Sequence, residues 1–152
     1  MIFIVLDVLK PLVDLEILTN ELEGFGIRLN QKPPRILIKK TDNGGILVTN
    51  SVPLTELNQN NIKSILSEYR INNAQISIHQ PGATIDQLID VLEGNRVYVP
   101  MIKVLNKVDG ISIEELDLLY KIPDSVPISS KEWLNIDELM EVMWDKLDLI
   151  RM

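Results

Sequence analysis

The sequence contains no cysteine, which excludes a disulfide framework, thiolate catalysis and zinc–thiolate sites. It contains a single histidine, His79, so an imidazole-based metal site would lack a second ring, and a loop-edge residue is the plainer reading. No apolar run approaches the length of a membrane span, and no charged segment followed by an apolar stretch opens the chain. These two absences lead to the expectation of a soluble cytoplasmic protein with no membrane partner. Glycine is sparse, and none of the seven is followed by lysine, so the phosphate-cradling pattern G-x-x-x-x-G-K-[ST] is missing. Gly24 and Gly26 imitate part of a dinucleotide fingerprint, but they follow a helical stretch rather than a strand, and no third glycine completes the pattern.

What is present is an ordinary globular composition: 152 residues, 45% apolar and 24% charged, enough for one domain with a real core. The net charge of −7 argues against the whole chain coating nucleic acid. The charge is unevenly placed. Arg28 to Arg70 holds seven Lys/Arg against three Asp/Glu, a local +4, and the remainder holds eight against nineteen, or −11. A basic segment in an acidic body is a candidate polyanion contact, with a solvated mixed-charge face as the alternative.

The organising stretch is Val97 to Gly110, VYVPMIKVLNKVDG. Its near-continuous apolar run over Val97–Leu105 is that of a parallel strand covered on both faces, and it breaks into Asn106-Lys107-Val108-Asp109-Gly110. Polar clusters at the C-terminal ends of buried parallel strands are where open α/β sheets bind ligands. Asn-Lys-x-Asp at such an edge suits guanine, because Asp109 can accept from N1–H and the N2 amine together. Adenine lacks that pair of donors and would leave the carboxylate unmatched. Lys107 can lay its apolar stem across the base while its ammonium stays in water. Asn106 can reach N7 or brace the loop. A polar turn after a strand is the plain alternative.

Ile2–Leu9 (IFIVLDVL) reads as a second strand buried on both faces, with Asp7 near its C-terminal, ligand-facing edge. The spacing of Leu15, Leu18, Leu22 and Phe25 predicts a helix over Asp14–Phe25. Arg35–Lys40 and Gly45–Val52 are short strands, and Asp42-Asn43-Gly44-Gly45 between them has the residues a hairpin turn needs. An amphipathic helix over Asn58–Tyr69 and a strand over Ala74–Ile78 complete a ββαβ unit. Thr84 and Gly94 bracket a helix at Ile85–Glu93. Ser112 begins another, whose Glu114, Glu115 and Asp117 are explained by capping and the helix dipole without catalysis. Its Leu116, Leu119 and Tyr120 are expected to face the core. Val126–Ile128 is a third parallel strand, ending at Ser129-Ser130. The last helix, Asp137–Ile150, carries Leu139, Met140, Met143, Trp144, Leu147 and Ile150 as a core stripe.

Asn106-Lys107-Val108-Asp109, followed by Ser129-Ser130-Lys131, resembles the last two nucleotide motifs of the translation-factor class of GTPases. The longer words ELEGFGIRLN (Glu21–Asn30), SEYRINNA (Ser67–Ala74), LIDVLEGNR (Leu88–Arg96), VLNKVD (Val104–Asp109) and SIEELDLLYKIP (Ser112–Pro123) resemble the developmentally regulated GTP-binding proteins, the eukaryotic and archaeal branch of the Obg group. The match runs from Ile2 to Arg151. The resemblance implies an α/β fold: a partial P-loop-GTPase-type parallel sheet of three strands with flanking helices, carrying a small ββαβ α+β insert similar to a domain of ribosomal proteins. Its implied organisation is residues 1–27 with 81–152 as the C-terminal half of a GTPase domain, and 28–80 as the insert. It implies GTP or GDP as ligand, with Asn106, Lys107 and Asp109 reading guanine, Ser130 offering its backbone N–H to the guanine O6, Ser129 shaping that loop, and Lys131 completing the set of binding residues. It also implies cytoplasmic work with ribosomes and a dedicated stabilising partner protein. Ribosomal RNA would be met by Arg35, Lys39 and Lys40 of the insert.

The chain departs from the family pattern in lacking the phosphate loop, the switch threonine and the Asp-x-x-Gly turn that would hold Mg²⁺. GTP hydrolysis is therefore not expected of these residues alone. Magnesium belongs to the parent domain. A natural domain rarely starts inside a central strand, so the chain reads as cut before Ile2, and the strand edge at Ile2–Leu9 is expected to invite a dimer. A non-catalytic module that binds ribosomal RNA or a protein through the basic insert is the second reading.

Overall fold

A computed structural model describes residues 1–149. The chain forms two compact units, one built from Met1–Gln31 with the residues from Val97 onward, the other from Lys32–Arg96.

The first unit holds a parallel three-stranded sheet in the order β1 (Ile2–Asp7), β7 (Met101–Asn106), β8 (Ser125–Pro127). The central strand is buried on both faces. Met101 and Leu105 join one apolar cluster with Leu12, Leu15 and Leu22 of the α1 region (α1, Val13–Gly24) and with Leu119 of α4 (Ile113–Tyr120). Ile102 and Val104 join another with Ile136, Leu139, Val142 and Met143 of α5 (Ile136–Lys146).

β1 departs from its expectation. Ile4 and Leu6 are buried, but Phe3 and Val5 are 41% and 61% exposed. Phe3 and Val5 lie in register with Ile102 and Val104, so they occupy the face that α5 covers only over β7 and β8. Β-rich composition therefore marked a strand here but not cover on both sides.

The strand predicted over Val97–Leu105 is two strands. Pro100 has no N–H to give to a ladder. Before it, β6 (Val97–Val99) pairs in parallel with β2 (Ile27–Leu29), a short strand absent from the sequence reading. After it, β7 pairs with β1. Asn30 bridges the junction, its side chain accepting from Met101 N at 2.7 Å and donating to Met101 O at 3.0 Å.

Three predicted apolar stripes are narrower than expected. Leu18 and Phe25 of the first helical stretch are exposed, as are Met140 and Leu147 of the last. Tyr120 is also exposed, and its hydroxyl accepts from Asn135 Nδ2 at 3.2 Å. Each helix packs on a single sheet face, which takes fewer positions than the full periodic set. Ile150 lies outside the described residues.

In the second unit, β3 (Ile36–Lys40), β4 (Ile46–Asn50) and β5 (Ala74–Ile78) form their own sheet, with helices α2 (Gln59–Glu68) and α3 (Ile85–Glu93). The expected hairpin between β3 and β4 does not form. β5 lies between them, antiparallel to β3 and parallel to β4. Gly44 and Gly45 do adopt positive φ, at 96° and 72°. The turn they make is held by Asn73, just before β5, whose side-chain oxygen accepts from Gly45 N and whose carbonyl accepts from Thr41 N. A βαβ path through α2 returns the chain between two already separated edges, and the hairpin is split.

The unit also takes in α3, which the sequence reading grouped with the flanks. Leu88 is fully buried with Ile36, Leu57, Ile62, Leu66, Ile76 and Ile78, and Ile85, Val91 and Leu92 pack on that cluster. The caps read from sequence are present. Thr84 and Gln87 form a capping box, Gly94 ends α3 at φ 68°, and Ser112 with Glu115 caps α4.

Candidate guanine-reading edge

Six residues picked from the sequence lie at the C-terminal ends of the adjacent parallel strands β7 and β8, Asn106 as the last residue of β7 and the others in the two loops that follow. Parallel pairing aligns Leu105 with Pro127, so the chain leaves both strands at the same edge. The two loops are then tied together. Ile128 N donates to Leu105 O at 2.8 Å, and Val108 N to Ile128 O at 3.2 Å.

Asn106 makes the polar part of this tie. Its Oδ1 accepts from Lys107 N at 2.8 Å and from Ser130 N at 3.0 Å, and its Nδ2 donates to Ser130 Oγ at 3.1 Å. Of its two anticipated roles, reaching a base or bracing the loop, the bonds present are bracing ones. Ser130 N–H, the group anticipated for the guanine O6, is engaged by Asn106.

Lys107 adopts the left-handed conformation, φ 71°. For a non-glycine residue this costs about 1–2 kcal/mol. The surroundings over-determine it: its N–H is held by Asn106, and its carbonyl accepts from Gly110 N at 3.1 Å. The conformation turns the chain sharply into the 3₁₀ turn at Val108–Gly110 and lifts Asp109 to the surface.

Asp109 is exposed, and Ser129 Oγ donates to its Oδ1 at 2.6 Å. That hydroxyl, first among the causes, holds the Asp109 carboxyl below the usual carboxylate range, assisted by its own backbone N–H and by the charges of Lys131 and Lys107. Asp109 is thus an ionised acceptor at neutral pH. Ser129 itself is fully buried and also accepts from Glu132 N at 3.2 Å. Its loop is closed by reciprocal backbone bonds with Leu134. Its side chain orients Asp109 rather than facing a ligand. Lys131 is the outlier: its ammonium lies 3.8 Å from Glu132, and it reaches the others only through its charge.

One neighbour's contact escaped the sequence reading. Asp7, at the end of β1, accepts a hydrogen bond from Lys107 Nζ at 2.7 Å. The sequence marked Asp7 as lying at the ligand edge but carried no signal for its partner, which is 100 positions away. Lys107 bonding, then the Leu9 N–H, holds its carboxyl below the usual range.

The arrangement is a fixed carboxylate beside a lysine stem on a loop braced from two strands. It is suited to accept a pair of adjacent N–H donors on a flat ring. Among the described residues, no group of three or more His, Cys, Asp or Glu is placed to hold a metal ion.

Comparison with known proteins finds one family and several curated relatives similar to this chain. The family described as the C-terminal region of the MMR_HSR1 domain matches residues 43–149. Ribosome-interacting GTPase 1 of Saccharomyces cerevisiae is 58% identical over 152 residues, covering 99% of this chain and 41% of the relative. Developmentally-regulated GTP-binding protein 1 of Xenopus laevis is 58% identical over 151 residues, with the same coverage. Developmentally-regulated G-protein 3 of Arabidopsis thaliana is 47% identical over 151 residues, 99% of this chain and 40% of the relative. The chain therefore spans about two fifths of the length of these curated relatives. On these matches, the chain belongs to the family of the C-terminal region of the MMR_HSR1 domain and is similar over nearly its whole length to developmentally regulated GTP-binding proteins.

Proposed function

We propose that this chain is the guanine-reading part of a ribosome-associated GTPase of the cytoplasm. One observation carries the reading: Asn106–Ser130 and Asp109–Ser129 bonds join two motifs twenty or more positions apart into one braced edge with an ionised carboxylate. Asp109 accepts from guanine N1–H and the N2 amine, and the Lys107 stem covers the base. The relatives' names, one a GTPase and one a GTP-binding protein, support guanine nucleotide as the ligand.

Within these 152 residues the pattern that cradles phosphates is absent. Phosphoryl transfer depends on that cradle and on Mg²⁺, so the chain does not hydrolyse GTP by itself. One bidentate carboxylate contact, a few neutral hydrogen bonds and stacking leave an affinity around millimolar, about −4 kcal/mol, after the cost of association. The test is an NMR titration of the chain with GDP and ADP. GDP is expected to shift amides of residues 106–110 and 129–131 at millimolar concentration, ADP is not, and Asp109→Ala abolishes the response. Micromolar GTP affinity or turnover above background would refute the account.

A second reading rests on the insert. Arg35, Lys39 and Lys40 are all exposed along β3 and its entry. β3, β4 and β5 carry no aromatic residue for base stacking, so contact with ribosomal RNA would run through phosphates. The name Ribosome-interacting GTPase 1 of the yeast relative is consistent with such a partner.

A further inference from the structure

The end of β1 is built as a support for the Lys107 loop. Asp7 pairs in register with Asn106, and Val8 N donates to Asn106 O at 3.1 Å. Leu9 N donates to Asp7 Oδ1 at 2.9 Å, which fixes the carboxylate and leaves Oδ2 to meet Lys107 Nζ at 2.7 Å. The Leu9 side chain lies against Gly110, where a Cβ would meet its Cδ2 at 3.0 Å. The support therefore touches both ends of the loop, from Lys107 to Gly110.

We propose that Asp7 is a positioning residue for guanine recognition: it anchors the Lys107 ammonium so that the lysine stem is already laid out along the edge when a base arrives. The role rests on the guanine reading above. Lys107 is long and four-jointed, and an unanchored side chain would lose rotamer freedom on binding. Asp7 removes part of that cost in advance. Because Asp7 acts through the ammonium alone, its effect must vanish when the ammonium does.

The test is a double-mutant cycle on the chain, with GDP affinity read by NMR titration. Asp7→Asn keeps the shape and removes the charge. Lys107→Met keeps an apolar stem and removes the ammonium. Asp7→Asn is expected to weaken GDP about three-fold, the scale of an exposed ion pair. In the Lys107→Met background it is expected to change nothing. The Asp7 carboxyl, followed by ¹³C NMR without nucleotide, is expected to titrate nearer the ordinary aspartate value in Lys107→Met. Unchanged β7 and β8 amide shifts establish that both variants fold.

If GDP binds and Asp7→Asn weakens it equally in both backgrounds, Asp7 is merely structural and the proposal is overturned. If Asp7→Asn has no effect in either background, it is overturned too. If the original chain binds no GDP although the Asp7 titration responds to Lys107→Met, the ion pair stands, the guanine reading has failed and the positioning role falls with it.

Discussion

Replacing Ser129 with alanine probes the edge most directly, because one hydroxyl serves two partners there. It donates to Asp109 Oδ1 at 2.6 Å and accepts from Glu132 N at 3.2 Å, in a residue with no exposed surface. Removing a buried hydroxyl that holds two partners costs about 1–3 kcal/mol. The pH dependence of that loss follows from the carboxyl. Asp109 has a folded-state pKa below its unfolded value, so the bond contributes stability that is fully present above the unfolded pKa, about 3.9. It is lost as pH falls through the folded pKa. Chemical denaturation at pH 7 is therefore expected to show the Ser129→Ala penalty, and the Asp109 share of it should fade below about pH 4. The Asp109 carboxyl, followed by ¹³C NMR, is expected to titrate closer to the ordinary value in the variant, and GDP binding is expected to weaken. An unchanged Asp109 titration would refute the reasoning, since the hydroxyl is the first cause of the shift.

Two further outcomes are expected. Replacing Arg35, Lys39 and Lys40 together with glutamine should weaken ribosome binding and flatten its log–log salt dependence by about two to three units, since each neutralised phosphate releases counterions. Unchanged association in co-sedimentation would remove the RNA reading. Leu88→Ala should cost about 2–5 kcal/mol. Hydrogen exchange should place that loss in residues 36–92, where Leu88 is buried, and spare β1 and β7. Loss of protection in β7 instead would show that α3 packs with the other unit.

Part of this protein was legible in one dimension. The runs IFIVLD and MIKVLN mark strands because β-branched and apolar residues cluster there, and Thr84, Gly94 and Ser112 mark helix ends because capping is a matter of three or four consecutive residues. The edge was legible for the same reason. Asn106, Lys107 and Asp109 follow one strand and Ser129 and Ser130 another, and parallel order at a shared edge brings such tails together. The partners were less legible: bracing was one of two roles open to Asn106, and loop-shaping was anticipated for Ser129, but the bonds to Ser130 and Asp109 lie across the gap between two loops.

Only the tertiary structure decided the pairing. β5 enters between β3 and β4 because a strand pairs with whichever edge packing leaves open, and the Asp42–Gly45 turn has no means of recording that choice. Pro100 dictates a missing donor, but where the chain goes on either side depends on β2 and β1 being available as partners. Burial of one face of β1 depends on where α5 lies, and the Asp7–Lys107 bond depends on register between strands a hundred residues apart. Local propensity is set by neighbours along the chain. Partners, covered faces and the braced lysine are set by neighbours in space.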